Sequence, residues 1–139
     1  MSYAGDITPL EAWKVLTENP HAVLVDVRTD AEWSFVGVPD LSSLGRDVVF
    51  VEWNKSSGQH NENFLAELQE QIPDSGETER PLVFLCRSGN RSIGAAEVAT
   101  EAGLTPSYNV LDGFEGQLDA QGHRGGTGWR AVGLPWKQG

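Results

Sequence analysis

The stretch LVFLCRSGNRSIGAAEVATEAG, Leu82 to Gly103, constrains the fold more than any other part of this chain. Leu82–Leu85 is a short, wholly apolar run, the pattern of a strand buried on both faces. A polar, glycine-bearing segment follows. From Ser92 to Ala102, the residues Ala95, Val98, Ala99 and Ala102 then fall at i, i+3, i+4 and i+7. That spacing predicts a helix with Gly103 as its C-terminal stop, and its small side chains let it lie close to a sheet. The unit is strand, tight loop, helix, and the chain's single cysteine, Cys86, stands where the strand ends.

The same alternation runs through the rest of the chain. Thr8-Pro9-Leu10-Glu11 opens a helix, with Thr8 as cap, Pro9 in the first helical position and Glu11 completing a capping box. Asn19-Pro20 ends it. Ala22–Val27 reads as a buried strand, Thr29-Asp30 starts a helical turn holding Trp33 and Phe35, and Gly37 and Pro39 break that turn. Val48–Val51 reads as a second buried strand, and the polar segment 54–61 as a loop. Phe64, Leu65, Leu68 and Ile72 give helical spacing over 62–72, and 73–80 is a polar connection. Ser107–Leu111 is a last strand, turned by Asp112-Gly113. Short apolar strands alternating with helices predict an α/β domain with a central, mostly parallel sheet and helices on both faces. The segment 121–139 differs: five glycines precede Pro135, and Trp129, Leu134 and Trp136 predict that it packs on the domain.

A chain of 139 residues suits one domain and can bury roughly two thirds of its unfolded surface. Its apolar fraction of 39% argues against intrinsic disorder. No apolar run approaches the ~20 residues that span a bilayer. The start MSYAGDITPLEAW has neither a basic n-region nor an apolar h-region, so no signal peptide is expected. A lone cysteine cannot form an internal disulfide, which fits a reducing compartment and predicts a cytoplasmic protein. The net charge of −10 repels nucleic acid and anionic membranes, so neither is an expected partner. Any anion site must then be local.

The segment after Cys86 has the parts for one. In a parallel sheet, ligands bind beyond the carboxyl ends of the strands. A helix start offers unpaired N–H groups and partial positive charge, and a turn at Gly89 can aim amides inward. With Arg87 and Arg91 alongside, these groups favour a thiolate at Cys86. A buried, inert thiol is the competing reading, but such a thiol needs no arginines, serines and glycine immediately after it. Arg87 and Arg91 read as anion-facing against the alternative of solvated surface charge. The three histidines, His21, His60 and His123, read as surface residues. With one cysteine they show no metal-ligand spacing, so neither a metal nor a cofactor is expected. There is no P-loop and no dinucleotide fingerprint.

Taken together, CRSGNRS after a strand and before a helix, LVDVRTDAEW upstream, and the glycine-bearing LDGFEG after the last strand resemble the rhodanese-like sulfurtransferases. The resemblance runs from about Asp6 to Gln117, the core of a single domain over 1–139, with the Gly- and Trp-rich segment 121–139 as an extension. Family members often continue after Asp-Val-Arg into Gly-His-Ile-Pro-Gly-Ala, whereas this chain has Gly37-Val38-Pro39-Asp40. The resemblance implies Cys86 as nucleophile and an anion-binding loop of Arg87, Ser88, Gly89, Asn90, Arg91 and Ser92. Asp26 and Arg28 are expected to support that loop from behind. It also implies a ping-pong cycle: a donor such as thiosulfate leaves a persulfide on Cys86, and cyanide or a thiol removes the sulfur. Without a second cysteine, the acceptor must come from outside. Two other readings stay open. The domain could carry sulfur between protein partners, since a carrier needs the same thiolate. It could be a cysteine-dependent phosphatase or arsenate reductase, but those place five residues between Cys and Arg, and here four intervene.

Overall fold

A computed structural model of the chain describes residues 3–72 and 80–138. The expected connection at 73–80 falls outside the described residues except for Arg80. The elements in chain order are β1 (Gly5–Ile7), α1 (Pro9–Glu18), β2 (Val23–Asp26), α2 (Asp30–Phe35), β3 (Val38–Pro39) and β4 (Val49–Phe50). Then come α3 (Phe64–Gln71), β5 (Leu82–Leu85), α4 (Arg91–Glu101), β6 (Ser107–Val110) and β7 (Trp136–Lys137). Five strands form one sheet in the order β1-β6-β5-β2-β4, and every pairing in it is parallel.

The strand period of two sorts β5 between two cores. Val83 and Leu85 join Leu24 and Val110 against Ala12 and Leu16 of α1. Leu82, Phe84 and Cys86 join Val25 and Val27 against Phe64 and Leu68 of α3 and Ala95, Ala96 and Ala99 of α4. Helices therefore cover both faces, as the alternation predicts. The capping box at Thr8 and Glu11 forms, and Thr29 and Glu32 make a second one at the start of α2.

Four details differ from expectation. The segment 48–51 contains only a two-residue strand, and Val49 and Phe50 are half-buried because β4 lies at the sheet edge. The buried stripe of α4 is Ser92, Ala95, Ala96, Ala99 and Thr100, while Ala102 is exposed. The stripe keeps helical spacing but includes polar groups that hydropathy hides: Thr100 Oγ1 bonds back to Ala96 O, and Ser92 reaches the cysteine. Phe35, the last residue of α2, is 79% exposed instead of packed. β1 and the antiparallel β3–β7 ribbon were not foreseen, since three-residue or shorter strands carry no period.

The segment 121–138 does pack on the domain. Trp129 is fully buried, meets Trp13 edge-on at 6.0 Å and donates Nε1–H to Pro135 O at 2.8 Å. Trp136 lies edge-on to Phe114 at 6.0 Å, and the Arg130 guanidinium sits over both rings.

Candidate active site

Because all five strands are parallel, their carboxyl ends share one edge. β5 is central, so Cys86 emerges between the residues after β2 and those after β6. Cys86 is 1% exposed. Its Sγ accepts from Gly89 N–H at 3.1 Å and contacts Ser92 Oγ at 3.2 Å.

The loop's conformation is dictated by where its carbonyls go. Cys86 O accepts from Phe114 N at 2.8 Å, and Arg87 O from Glu115 N at 2.9 Å and Gly116 N at 3.2 Å. Ser88 O accepts from Gln117 Nε2 at 2.5 Å, and Gly89 O from Asn109 Nδ2 at 3.2 Å. Successive carbonyls are thus drawn toward 109–117, and the Gly89 amide faces the sulfur. This requires Gly89 at φ +96°, and it requires Gly113, where a Cβ would lie 2.3 Å from Cys86 O. The turn at Asp112-Gly113 is therefore the outer wall of the cysteine loop.

The structure separates the arginines. Arg91 makes a bidentate pair with Glu32, at 2.9 and 3.0 Å. Burial pushes the Glu32 carboxyl up, but hydrogen bonds from Arg91 and the Thr29 N–H, with the charges of Arg91 and Arg28, hold it below the ordinary carboxylate range. For Arg91, burial opposes the charged form, and the hydrogen bond and charge of Glu32, then the charges of Cys86 and Asp26, outweigh it and raise its pKa. Arg87 is exposed. Arg87 and Arg91 line an open depression of about 310 Å³, with Thr29, Glu32, Lys55 and Ser56 among its other walls. Asn90 is exposed, and its side chain makes no cap for α4, while Ser88 and Ser92 are buried.

Asp26 and Arg28 are both fully buried and paired, with Nη2 to Oδ2 at 2.7 Å. Arg28 Nη2 also donates to Gly37 O at 2.7 Å, and the guanidinium stacks 4.2 Å over the Phe114 ring. Phe114, whose ring lies under Arg28, also donates its N–H to Cys86 O. Among the described residues, no group of three or more His, Cys, Asp or Glu is placed to hold a metal ion, and no helix is long and apolar enough to cross a membrane.

Sequence reasoning left Glu32, Asn109, Phe114 and Gln117 without roles. Glu32 lies within the upstream motif, and its spacing three residues after Thr29 marks a capping box, a signal available in the sequence. Asn109 offers a weaker one: a polar side chain inside an otherwise strand-like run, now fully buried.

A parallel five-stranded sheet with a strand–cysteine loop–helix unit at its centre defines a rhodanese-like domain fold. The chain belongs to the family described as the STR4 middle domain, whose model matches residues 5–139. A crystal structure of Rv0390 from M. tuberculosis is similar to it, with 76% identity and a TM-score of 0.93 over 99% of this chain and 100% of that one. A Rickettsia conorii protein, RC0915, is 36% identical over 95% of this chain and 96% of its own length, and is uncharacterised. The thiosulfate sulfurtransferase GlpE of Actinobacillus pleuropneumoniae is 27% identical over 94% of this chain and 90% of its own. The polysulfide-sulfur transferase homodimer of Wolinella succinogenes shares 26% identity and a TM-score of 0.60, covering 96% of this chain and 78% of that one.

Proposed function

We propose that this protein is a cytoplasmic sulfurtransferase that moves a sulfane sulfur from a small donor such as thiosulfate to cyanide or a thiol, through a persulfide on Cys86. The observation that carries this reading is the setting of the sulfur: a cysteine at the end of the central strand, with an N–H and a hydroxyl against Sγ and the loop carbonyls turned away. An N–H and a hydroxyl in reach of the sulfur stabilise its negative form. The likeness to GlpE and to the Wolinella polysulfide-sulfur transferase supports the same chemistry.

The Cys86 thiolate attacks the outer sulfur of thiosulfate. An S–S bond forms, the bond to the sulfonate sulfur breaks, and its electron pair leaves on sulfite. Cyanide then attacks the outer persulfide sulfur, the S–S bond breaks, and its pair returns to Cys86 as thiocyanate departs. No oxidant is needed and no general base is required once the thiol is ionised. The depression lined by Arg87, Arg91 and Lys55 supplies the positive charge through which an anionic donor approaches, with Arg91 held at the rim by Glu32. Residues 1–139 serve as one domain, with 121–139 as an extension of which 121–138 pack on it. A carrier role with a protein donor uses the same thiolate and differs only in the donor.

The test is steady-state transfer from thiosulfate to cyanide, read as thiocyanate. Wild type turns over and Cys86→Ser does not, while its unfolding midpoint stays near wild type. Full activity in Cys86→Ser overturns the mechanism. Turnover with a desulfurase-generated protein persulfide but none with thiosulfate favours the carrier.

A further inference from the structure

The groups behind Cys86 have a hydrogen-bonding conflict that only one proton can resolve. Asn109 Nδ2 donates to Asp6 Oδ1 at 3.0 Å and to Gly89 O at 3.2 Å. Both partners are acceptors, so they fix which end of the amide is which and force Asn109 Oδ1 toward α4. There Oδ1 is bonded to Ser92 Oγ, which also contacts Cys86 Sγ at 3.2 Å. A serine hydroxyl has one proton. It cannot serve Asn109 and an anionic sulfur at once. Cys86, Ser92 and Asn109 are all buried, so water does not relieve the competition.

We infer that the Ser92 hydroxyl is a rotor between Asn109 Oδ1 and Cys86 Sγ, and that Asn109 is the positioning residue that sets how much negative charge the sulfur holds. With a neutral thiol, Cys86 S–H donates to Ser92 Oγ and Ser92 donates to Asn109. When the sulfur ionises, the Ser92 proton turns to it and Asn109 Oδ1 loses its donor. Ionisation therefore carries the cost of a buried, unpaired carbonyl. That cost keeps the thiolate from being over-stabilised, and a less stabilised thiolate is the better nucleophile. In a persulfide the charge lies on the outer sulfur, so the inner sulfur no longer needs the proton and Ser92 returns to Asn109. The purpose of the device rests on the sulfurtransferase reading, whereas its geometry does not.

The experiment is a pH titration of the thiolate's ultraviolet absorbance, with Cys86→Ser as blank. It is run on wild type, Asn109→Val, Ser92→Ala and the double variant. Charged groups around the loop are Asp6 on β1, Asp26 at the end of β2 and Arg28 after it, Glu32 on α2, and Arg87 and Arg91 of the loop and α4. None is substituted, and Asn109→Val takes a donor from Asp6 in either background, so comparing it with and without Ser92 isolates the hydroxyl. Asn109→Val frees the Ser92 proton, and the ionisation midpoint falls by about one pH unit, a tenfold change. Ser92→Ala raises the midpoint, and in its background Asn109→Val has no effect. A residue with a merely structural role would loosen the loop and raise the midpoint. A midpoint unchanged or raised in Asn109→Val, or the same fall without Ser92, overturns the proposal.

Should Asn109→Val not fold, Asn109→Ala, which cannot overpack, repeats the test. The Asn109 side-chain amide resonance gives a reading on the unmodified strand: it shifts with Cys86 ionisation in wild type and much less in Ser92→Ala. An equal shift in both overturns the rotor. Because the titration needs no sulfur donor, failure of sulfur transfer leaves its outcome intact, and the reverse also holds.

Discussion

The cysteine loop, 86–90, and the C-terminal segment, 117–138, both depart from regular structure, yet they are held in different ways. Both hang from the same turn. Phe114, Glu115 and Gly116 give their N–H groups to the loop, whereas Gly113 and Phe114 give their carbonyls to Trp129 and Arg130. The loop is fixed through its own carbonyls: main-chain N–H groups of 114–116 hold those of Cys86 and Arg87, and the side-chain amides of Gln117 and Asn109 hold those of Ser88 and Gly89. The C-terminal segment is fixed by one buried indole and an arginine over two aromatic rings. A loop held this way depends on those donors and on the absence of a Cβ at Gly113. The C-terminal segment depends on a large buried side chain as well as on glycine, since a Cβ at Gly128 would lie 2.8 Å from Gly116 N.

The largest effect that would break this contrast is expected at the shared turn. Gly113→Ala puts a methyl group 2.3 Å from Cys86 O and 2.6 Å from the Arg87 carbonyl carbon, both backbone atoms that cannot step aside. Gly113→Ala is expected to lose both regions, with no cooperative unfolding transition or a loss of more than about 4 kcal/mol by denaturant titration. A transition near wild type would mean that the turn does not anchor the loop.

Trp129→Ala comes next. Removing this fully buried side chain should cost about 3–5 kcal/mol in chemical denaturation. Because Trp129 hangs from the carbonyl side of the turn, Cys86 alkylation kinetics in the surviving folded fraction should match wild type. Altered kinetics would show that the two regions are one unit.

The smallest effect lies at the loop's rim, where Glu32 grips Arg91. Glu32 is depressed in the folded state, so its contribution is complete above the ordinary value of 4.5 and is lost as pH falls through the lower folded value. Glu32→Gln should lose about 1 kcal/mol at neutral pH and show a flatter acid limb than wild type. Parallel acid limbs would remove the ion pair from the account of the loop.

Legibility followed the same division. Helix starts were readable because caps are local: Thr8, Pro9 and Glu11 act within one turn of each other. The cysteine loop was readable as a strand–turn–helix motif, since Leu82–Leu85 and the alanines of α4 carry clear periods. Its fastening was not, because Asn109, Gln117 and Gly113 lie 20 or more residues from their partners and belong to no local pattern. β1 and the β3–β7 ribbon are too short for a period and exist only through pairing. The two tryptophans signalled that 121–138 would pack, but hydropathy could not tell that Trp129 is enclosed while Trp136 remains 40% exposed.

The central claim is that Cys86 carries sulfur, and the intact mass of the purified protein tests it most directly. Incubation with thiosulfate should add the mass of one sulfur atom, mapped to Cys86, and cyanide should remove it. An unchanged mass after thiosulfate, with the thiol still free and the protein folded, would contradict the account.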